Sequence, residues 1–543
     1  PLLTKQAAFR THKTWKEWWK NGMGYLQEGD PLAYGGYYTQ NDAKDIVAYA
    51  AAKAINVIPE IEMPGHSDEV LAAYPNLACD SVKGRTGEFC IGNDSTFTFM
   101  QDVLTEVMGL FPSKYIHIGG DEAAKGHWKK CTKCQKRIKD NGLKDEDELQ
   151  SYAIKRMEKF ISGKGRYLLG WDEILEGGLA PGARVMSWRG EQGGIDAARQ
   201  NHDVIMTPGG TCYFDKYQQN PAGEPEAIGG FLPLQKVYEY EPLPAALEKD
   251  KQQYVKGAQA NLWTEYVPTQ EHAAYMIFPR IIALSEVVWS NPAAKNWAQF
   301  QEKLTAHYTL LQAFNINYCR PSNRVDISAN IDTAKRFATI RFNSEQFKPT
   351  IYYTTDGSNP TTASNVYAGA FLMDAKATIK AAIINAKKSA PDSILINFHK
   401  AFNKPVTYNI PFSKGYPAAG ASTLVNGYRG SLTYQDGQWQ GFTTNMDVVI
   451  DLQKIDTIHL VQANFMQIIG PGVYMPKYIE VQTSVDGINY TNQGRDNNSV
   501  SPTESSLLFK DFKIQMKPTA ARYIKFVSKL QSGFQFIDEI IVE

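Results

Sequence analysis

The feature that most constrains the fold is a regular alternation of short β-branched runs with amphipathic helix patterns, which extends from residue 1 to about residue 315. Between the runs, apolar residues recur at spacings of three and four, as they do along one face of a helix. Strand followed by helix, repeated, is typical of parallel βαβ units. The predicted strands cover residues 56–61, 115–118, 167–171, 184–188, 203–207 and 257–263.

Two architectures are built from such units, the TIM-type barrel and the doubly wound sheet. A nucleotide-binding doubly wound sheet normally has a glycine-rich turn after its first strand, and residues 59–65 do not match that pattern. Polar and aromatic residues follow each predicted strand, as in a barrel whose active site gathers at the carboxyl ends of the strands. The sequence therefore predicts an α/β TIM-type barrel that lacks its first two strands. We expect such a chain to be insoluble or inactive by itself, because an open barrel leaves a strand edge unpaired.

The remainder of the chain has a different character, because Gly, Ser, Thr and Asn become frequent and helix periodicity disappears. The run YYTTDGSNPTT at residues 352–362 joins a β-rich segment to Asp-Gly and Asn-Pro turn signals. The last eight residues alternate like a half-buried strand. These patterns predict three domains: the barrel at 1–320, a small β-sandwich at 321–410 and a second β-sandwich at 411–543.

Composition removes several classes of partner. Lys plus Arg and Asp plus Glu both number 57 among 543 residues, so no net field attracts nucleic acid. No run of about 18 uncharged apolar residues is present, so no membrane span is predicted. The six cysteines are too few for a disulfide scaffold. Cys79 and Cys90 flank a short loop, which favours a disulfide between them, whereas the single CxxC at Cys131 and Cys134 is weak evidence for a metal. We predict no metal site, and buried, unreactive thiols at Cys212 and Cys319.

The sharpest chemical signal is HIGGDE at residues 117–122, directly after a predicted strand. Asp121 and Glu122 are adjacent carboxylates after a Gly-Gly turn, so both can reach one ligand from different directions. Acid catalysis at a glycosidic bond needs one protonated and one charged carboxyl, and neighbouring carboxylates bias each other toward that split. A helix N-terminus that simply carries acids is the alternative interpretation.

Other strand ends add aromatic rings and acids, in PEIEMPGH, GWDE, MSWRGE, CYFDKY and NLWTEY. A single tryptophan is usually part of a core. Three at the same relative place, each near an acid, are better explained as walls for a sugar, which presents C–H faces to rings and hydroxyls to carboxylates. For the two histidines, a structural role is an equal alternative, because neither has a spacing that demands a metal. The candidates are His66, His117, Trp171, Trp188, Tyr213, Asp215, Trp263 and Glu265.

Together, HIGGDE, PEIEMPGH, GWDE and NLWTE resemble the motifs of family 20 glycoside hydrolases, the β-N-acetylhexosaminidases. The resemblance implies that Glu122 is the general acid/base, with His66 beside it, and that Asp121 orients the substrate's acetamido group. It implies an acetamido pocket and hydroxyl contacts formed by Trp171, Trp188, Trp263, Tyr213, Asp215 and Glu265, with His117 in the same substrate site. Residues 321–410 resemble the family's chitobiase C-terminal sandwich. Residues 411–543 resemble a discoidin-like carbohydrate-binding module, in which Trp439 is a candidate stacking ring.

The activity that the resemblance implies is a retaining exo-hydrolase for terminal N-acetylhexosamine, without cofactor, in which the substrate's own acetamido oxygen attacks the anomeric carbon. It also implies a periplasmic, cell-surface or secreted protein, although no signal region is present in this sequence. Two alternatives stay open: a non-catalytic glycan-binding or adhesion protein, and a lacto-N-biosidase-like hydrolase. The sequence does not distinguish gluco from galacto substrates, and it leaves the oligomeric state undetermined.

Overall fold

The structure is a computed structural model that describes residues 2–80, 87–219, 221, 224–332, 335–384 and 391–543. It divides into two compact units, each considered by itself. The first contains residues 1–213, 240–266 and 287–292, and the second contains residues 214–239, 267–286 and 293–543. Among the described helices, none is both long and apolar enough to cross a lipid bilayer.

The first unit is an α/β structure. Its strands are β1 (Phe9–Arg10), β2 (Tyr34–Gly35), β3 (Tyr115–His117), β4 (Tyr167–Trp171), β5 (Arg184–Ser187), β6 (Val204–Met206) and β7 (Val255–Ala258). Its helices are α1 (Trp15–Lys20), α2 (Gln40–Ala52), α3 (Asp68–Ala73), α4 (Asp94–Leu110), α5 (Thr132–Asp140), α6 (Glu146–Gly163) and α7 (Gln192–Arg199).

Helix starts in this unit follow the sequence closely. Thr39 and Asp42 form a capping box at α2, and the Asp145 side chain accepts hydrogen bonds from the backbone N–H groups at the start of α6. Asn93 caps α4 in the same way. Such caps satisfy N–H groups that have no partner within the helix, which is why these polar residues stand immediately before the apolar periodic segments.

The centre of the unit is a parallel sheet in the order β3-β4-β5-β6-β7. Leu169, Trp171 and Met186 form part of its core. The predicted strand at residues 56–61 is present only as an extended segment joined to β3 by one parallel bridge, from Glu60 to His117. The prediction of a strand at 257–263 is also shifted, because β7 ends at Ala258 and the chain beyond it is held by a single bridge between Tyr213 and Asn261. The parallel βα order was predicted correctly, and the first and last strands were the least regular.

The helices of the rest of the chain are α8 (Leu234–Glu239), α9 (Gln270–Ile277), α10 (Arg280–Trp289) and α11 (Trp297–Ala313). Two antiparallel sheets of the second unit, ordered β12-β9-β8 and β11-β10-β13-β14, share one apolar core, as in a β-sandwich. Their strands are β8 (Asp326–Asp332), β9 (Phe337–Asn343), β10 (Ile351–Thr354), β11 (Asn365–Val366), β12 (Phe371–Met373), β13 (Ala377–Ile383) and β14 (Asp392–Ile396).

A further antiparallel sheet, ordered β16-β21-β17-β20-β18-β19, follows. Its strands are β15 (Val406–Tyr408), β16 (Gln440–Phe442), β17 (Met446–Gln467), β18 (Tyr478–Ser484), β19 (Thr491–Asn497), β20 (Leu508–Ser528) and β21 (Gln535–Val542). β15 pairs with β17, so residues 406–408 belong to this sheet, and the boundary at 410/411 stays a prediction. Trp439 is only 1% exposed and donates its indole N–H to the carbonyl of Ser431, so the prediction of an accessible stacking ring there is wrong.

Candidate active site

The site is built at the carboxyl edge of the parallel sheet. The registers of β3 with β4 and of β4 with β5 place the ends of these strands side by side. His117 ends β3, Trp171 ends β4, and Trp188 follows β5 directly. Since parallel strands all end on the same edge, residues far apart in sequence converge there.

The Gly-Gly turn after β3 is required by what packs against it. Gly119 and Gly120 both have positive φ, at +68° and +100°. A Cβ on Gly119 would lie 1.8 Å from Oε2 of Glu62, and one on Gly120 would lie 2.4 Å from Cγ2 of Ile174. Only glycine combines this backbone conformation with these contacts. The turn therefore packs directly against Glu62 and Ile174, and the Asp121–Glu122 pair follows it in the chain.

His66 lies between the two adjacent carboxylates. Its Nε2 is 3.3 Å from Oδ2 of Asp121 and 3.5 Å from Oε2 of Glu122. His66 and Glu122 are both in the left-handed region, with φ of 45° and 51°, a strained conformation for residues other than glycine that is often found at functional sites. Hydrogen bonds to Asp121 and then Glu122 raise the pKa of His66 to about 11, and the same contact lowers the pKa of Glu122. In this state the histidine is a cation and Glu122 is ionised.

Two glutamates from PEIEMPGH, the partly exposed Glu60 and the half-buried Glu62, lie close to this group. Burial, followed by the charge of Asp121, raises the pKa of Glu62 to about 9, and burial also raises the pKa of Glu60. The two side chains interact electrostatically. The split between protonated and charged carboxyls was expected within the Asp121–Glu122 pair, but the opposite pKa shifts fall on Glu62 and Glu122, because desolvation acts on Glu62 and the contact with His66 acts on Glu122.

Two tryptophans are oriented by carboxylates. The indole N–H of Trp171 donates to Oε1 of Glu60 at 2.9 Å, and that of Trp188 donates to Oε2 of Glu173 at 2.9 Å. Burial raises the pKa of Glu173 to about 7. The backbone N–H of Trp188 also donates to Asp172 at 3.0 Å. These bonds fix the planes of the rings.

The rings contact one another. Trp171 packs edge-on against His117, with centroids 4.8 Å apart, and lies 6.1 Å from Trp263. Trp188 stacks on Tyr213 at 6.1 Å. Trp263 is 37% exposed, whereas Trp171 is 2% exposed, so the first ring is accessible to a ligand and the second is buried beneath it.

Comparison with known proteins agrees with this geometry. Residues 1–292 match the glycosyl hydrolase family 20 catalytic domain, and residues 333–394 match the chitobiase/beta-hexosaminidase C-terminal domain. The chain belongs to glycosyl hydrolase family 20. The catalytic region of this family 20 chain is of the TIM-barrel type.

Named relatives are similar to this family 20 chain over part of their length. A Porphyromonas gingivalis beta-hexosaminidase is 51% identical over 354 residues, 63% of this chain and 45% of that protein. A Vibrio furnissii beta-hexosaminidase is 37% identical over 264 residues, 46% of this chain and 43% of that protein. The chain thus spans less than half the length of these relatives. The structure of a Vibrio harveyi exo β-N-acetylglucosaminidase in complex with N-acetylglucosamine aligns with a TM-score of 0.50 at 31% identity, over 53% of this chain and 47% of that one.

The structure brings most of the predicted residues of this family 20 site together, with two qualifications. The side chain of His117 is 3% exposed and its Nδ1 accepts the N–H of Gly119, so it supports Trp171 and does not present a surface to substrate. Asp215 belongs to the second unit, where it is buried and interacts electrostatically with Lys216 and Arg280. Its predicted contact with sugar hydroxyls, and that of Glu265 in the half-buried segment after β7, stay predictions.

The carboxylates that orient the rings were recognised as strand-end acids in the sequence, but no role in the site was predicted for them. Glu60 and Glu62 stand in PEIEMPGH, and Glu173 in GWDE, so the motifs contained them. An indole placed after a strand has a donor that must be satisfied when it is buried. The need for an acceptor could therefore have identified these acids, because they are the nearest carboxylates on neighbouring strand ends.

The predicted disulfide is wrong in this structure. Cys79 and Cys90 are both free thiols, as are Cys131 and Cys134. The sulfur of Cys79 instead lies 3.8 Å from that of Cys134, and Cys90 lies 3.7 Å from both Cys131 and Cys134. Loop closure along the sequence suggested a pair, but the fold brings the CxxC segment to the same place. Cys212 and Cys319 are buried, as predicted.

Proposed function

We propose that this chain carries the catalytic region of a retaining exo-β-N-acetylhexosaminidase, which removes terminal N-acetylglucosamine or N-acetylgalactosamine through an oxazolinium intermediate. The observation that carries the proposal is the Asp121–Glu122 pair on His66, beside rings oriented by hydrogen bonds to carboxylates. An acetamido group needs an apolar recess for its methyl group and polar partners for its N–H and its oxygen. The edge of the sheet offers both kinds of surface.

Asp121 has a free acceptor for the acetamido N–H. Its Oδ1 is buried and finds no hydrogen-bond partner among the described residues, while Oδ2 faces His66. An unpaired buried carboxylate oxygen costs free energy, and a donor on the ligand would remove that cost. In the proposed role, Asp121 holds the acetamido nitrogen, and its charge stabilises the positive ring as the acetamido oxygen attacks the anomeric carbon.

Glu122 would donate a proton to the leaving oxygen and then take one from water. Its side chain is 58% exposed, so a glycosidic oxygen can approach it. The contact with His66 keeps it ionised without substrate, so its proton must be acquired in the complex. His66 is the adjacent proton store, since its pKa is raised to about 11 by Asp121 and Glu122. Insertion of the substrate between His66 and Glu122 would weaken the contact that favours the carboxylate.

The names of the relatives support the substrate class. The similar Porphyromonas and Vibrio proteins are called beta-hexosaminidases, and the Vibrio harveyi structure contains N-acetylglucosamine. We carry this to the present chain as a proposal only. The proposal that the protein lies outside the cytoplasm rests on the sequence resemblance alone. So does the proposal that the body formed by β15 to β21 binds glycan as a discoidin-like module. Deleting that body should leave hydrolysis of small substrates unchanged.

The deciding experiment compares two substrates that differ only at C2. We expect release of nitrophenol from the N-acetylglucosaminide and almost none from the glucoside, because a positioned intramolecular nucleophile supplies about 7 to 11 kcal/mol. A thiazoline that mimics the cyclised intermediate should inhibit strongly. Asp121→Asn should weaken both effects, whereas Asp102→Asn, on the exposed face of α4, should change neither.

Three outcomes would contradict the proposal. Comparable cleavage of the glucoside would show that the acetamido group is not the nucleophile. A covalent glycosyl adduct on Asp121 or Glu122 would show that a carboxylate of the enzyme is the nucleophile. Glycan binding without hydrolysis would favour the adhesion alternative.

A further inference from the structure

Four cysteines outside the candidate active site form one buried cluster. Cys79, Cys90, Cys131 and Cys134 are all buried, and their Sγ atoms all lie within 4.8 Å of one another. The measured contacts are 3.8 Å for Cys79 to Cys134 and 3.7 Å for Cys90 to both Cys131 and Cys134. A disulfide needs about 2.05 Å between sulfurs, so these atoms are arranged around a common centre and are not bonded in pairs.

The spacing fits one tetrahedral metal ion. With Zn–S bonds of about 2.3 Å, the edge of a regular tetrahedron of sulfurs is about 3.8 Å. We propose that Cys79, Cys90, Cys131 and Cys134 bind a single structural Zn²⁺. This replaces both the disulfide and the absence of metal that the sequence predicted. Four thiolates leave no open position for substrate, so the site is structural and not catalytic.

The backbone around the cluster is shaped for thiolates. Cys131 stands directly before α5 and Cys134 lies in its first turn, where the helix dipole favours negative charge. The N–H of Gly92 donates to the sulfur of Cys134 at 3.3 Å. A Cβ on Gly92 would lie 2.1 Å from the backbone carbon of Lys133, so only glycine lets this N–H approach the sulfur. Donors to metal-bound sulfur are the usual outer support of such sites.

Binding of the metal would change the charge of the cluster. Four thiols bind one Zn²⁺ and release four protons, which leaves a cluster of net charge −2. The S–H of Cys131 donates to Asp80 at 3.2 Å, and this bond is lost when the proton leaves. Asp80 keeps its hydrogen bond from the hydroxyl of Thr132 at 2.9 Å. Four basic residues stand close to Cys131 and Cys134 in the sequence: Lys129, Lys130, Lys133 and Lys136.

The ion would join two segments that also support the active-site turns. The backbone N–H of Phe89 donates to Pro64, and the N–H of Ser67 donates to Gly87, which ties the strand-like segment before Cys90 to the turn of His66. The N–H of Ala124, two residues after Glu122, donates to Glu88. Zinc at Cys90 and Cys131 would hold these two segments together at their far ends.

The test begins with the metal content of the chain purified without chelator. We expect about one zinc per chain by elemental analysis, and its release to a metal-indicator dye when the thiols are blocked with a mercurial. Substitution with Co²⁺ should give the charge-transfer and d–d bands of tetrahedral thiolate cobalt. Removing the zinc should accelerate hydrogen exchange in residues 87–92 and 124–134, a readout that does not depend on catalysis.

Cys134→Ser should lower zinc content at least about 10-fold, the scale of losing metal-site contacts. The matched control is Cys212→Ser, which alters a buried thiol outside the cluster and should keep the full zinc content. If Cys134→Ser does not fold, the wild-type measurements decide alone. Wild-type chain without stoichiometric zinc would overturn the proposal, whether its thiols are free, paired in disulfides or bound to iron. Equal loss in the control would overturn it too.

Discussion

Two histidines at the same edge of the sheet, His66 and His117, have pKa values that are shifted in opposite directions. The turn that carries His66 leaves this side chain 48% exposed, 3.5 Å from Glu122, whereas the end of β3 buries His117, 3.2 Å from Glu60. Hydrogen bonds to Asp121 and Glu122 raise the pKa of His66 to about 11, but burial lowers the pKa of His117 to about 3. A short distance to a carboxylate therefore does not decide the charge of a histidine. Access to water and the ionisation of the partner decide it.

The second unit provides an independent example. His399 lies 2.9 Å from Glu539, and both side chains are almost completely buried. Burial lowers the pKa of His399 to about 3 and raises the pKa of Glu539 well above its ordinary value. Burial therefore disfavours the charged form of both members of this pair, as it does for His117. Of these three histidines, the half-exposed His66 is the one that contacts the ionised Glu122.

The largest expected effect concerns the two glutamates next to these histidines. Glu122→Gln should keep the fold and lower turnover on unactivated glycosides about 10² to 10⁴-fold, the usual contribution of a general acid. Glu60→Gln keeps an oxygen for the Trp171 indole and should lose much less. Steady-state kinetics measures both, with Glu69→Gln on the exposed side of α3 as the unchanged control. Wild-type turnover in Glu122→Gln would remove this residue from the role of acid.

A second comparison uses the stability of alanine variants. His117→Ala removes a buried ring against Trp171 and leaves the N–H of Gly119 without an acceptor, so we expect a loss of about 2 to 4 kcal/mol. His66→Ala should change the free energy of unfolding by less than about 1 kcal/mol, since ion pairs of exposed groups contribute little. Urea denaturation measures both. Equal losses would mean that His66 has a structural role that its exposure does not suggest.

The smallest effect is a difference in pH dependence. The raised pKa of His66 contributes stability below its ordinary value of 6.5, which is lost as pH rises toward about 11. The lowered pKa of His117 acts in the other direction, with stability present above 6.5 and lost as pH falls toward about 3. His66→Gln should flatten the alkaline side of a stability profile, and His117→Gln the acid side. Because solvent screens the exposed His66, the change on the alkaline side should be the smaller of the two. An acid-side change in His66→Gln and an alkaline-side change in His117→Gln would contradict the two pKa shifts.

Much of the site could be predicted because its residues lie in contiguous motifs at strand ends. The βα alternation places every such end on one edge, so Asp121, Glu122, His66 and the three tryptophans were recognisable together. Their hydrogen-bond partners were harder to recognise. Glu173 and Glu60 reach tryptophans that are 15 and 111 residues away in sequence.

Burial was the property that sequence patterns described least well. Trp439 and Trp263 both stand next to polar residues, yet the first is 1% exposed and the second 37% exposed. Trp439 is covered by Phe509, with ring centroids 5.7 Å apart, and a contact across 70 residues has no local signature. The same holds for β15, since only its pairing with β17 shows that residues 406–408 belong to the last sheet.

The sequence by itself determined the order of strands and helices, the turn that requires Gly119 and Gly120, and the set of carboxylates and rings at the edge of the sheet. Periodicity and short motifs are properties of neighbouring residues, so the chain states them directly. Tertiary structure alone decided which carboxyl is protonated, which histidine is charged and that four cysteines meet. Desolvation and the convergence of thiols from residues 79 to 134 depend on distances through space, which the order of residues does not contain.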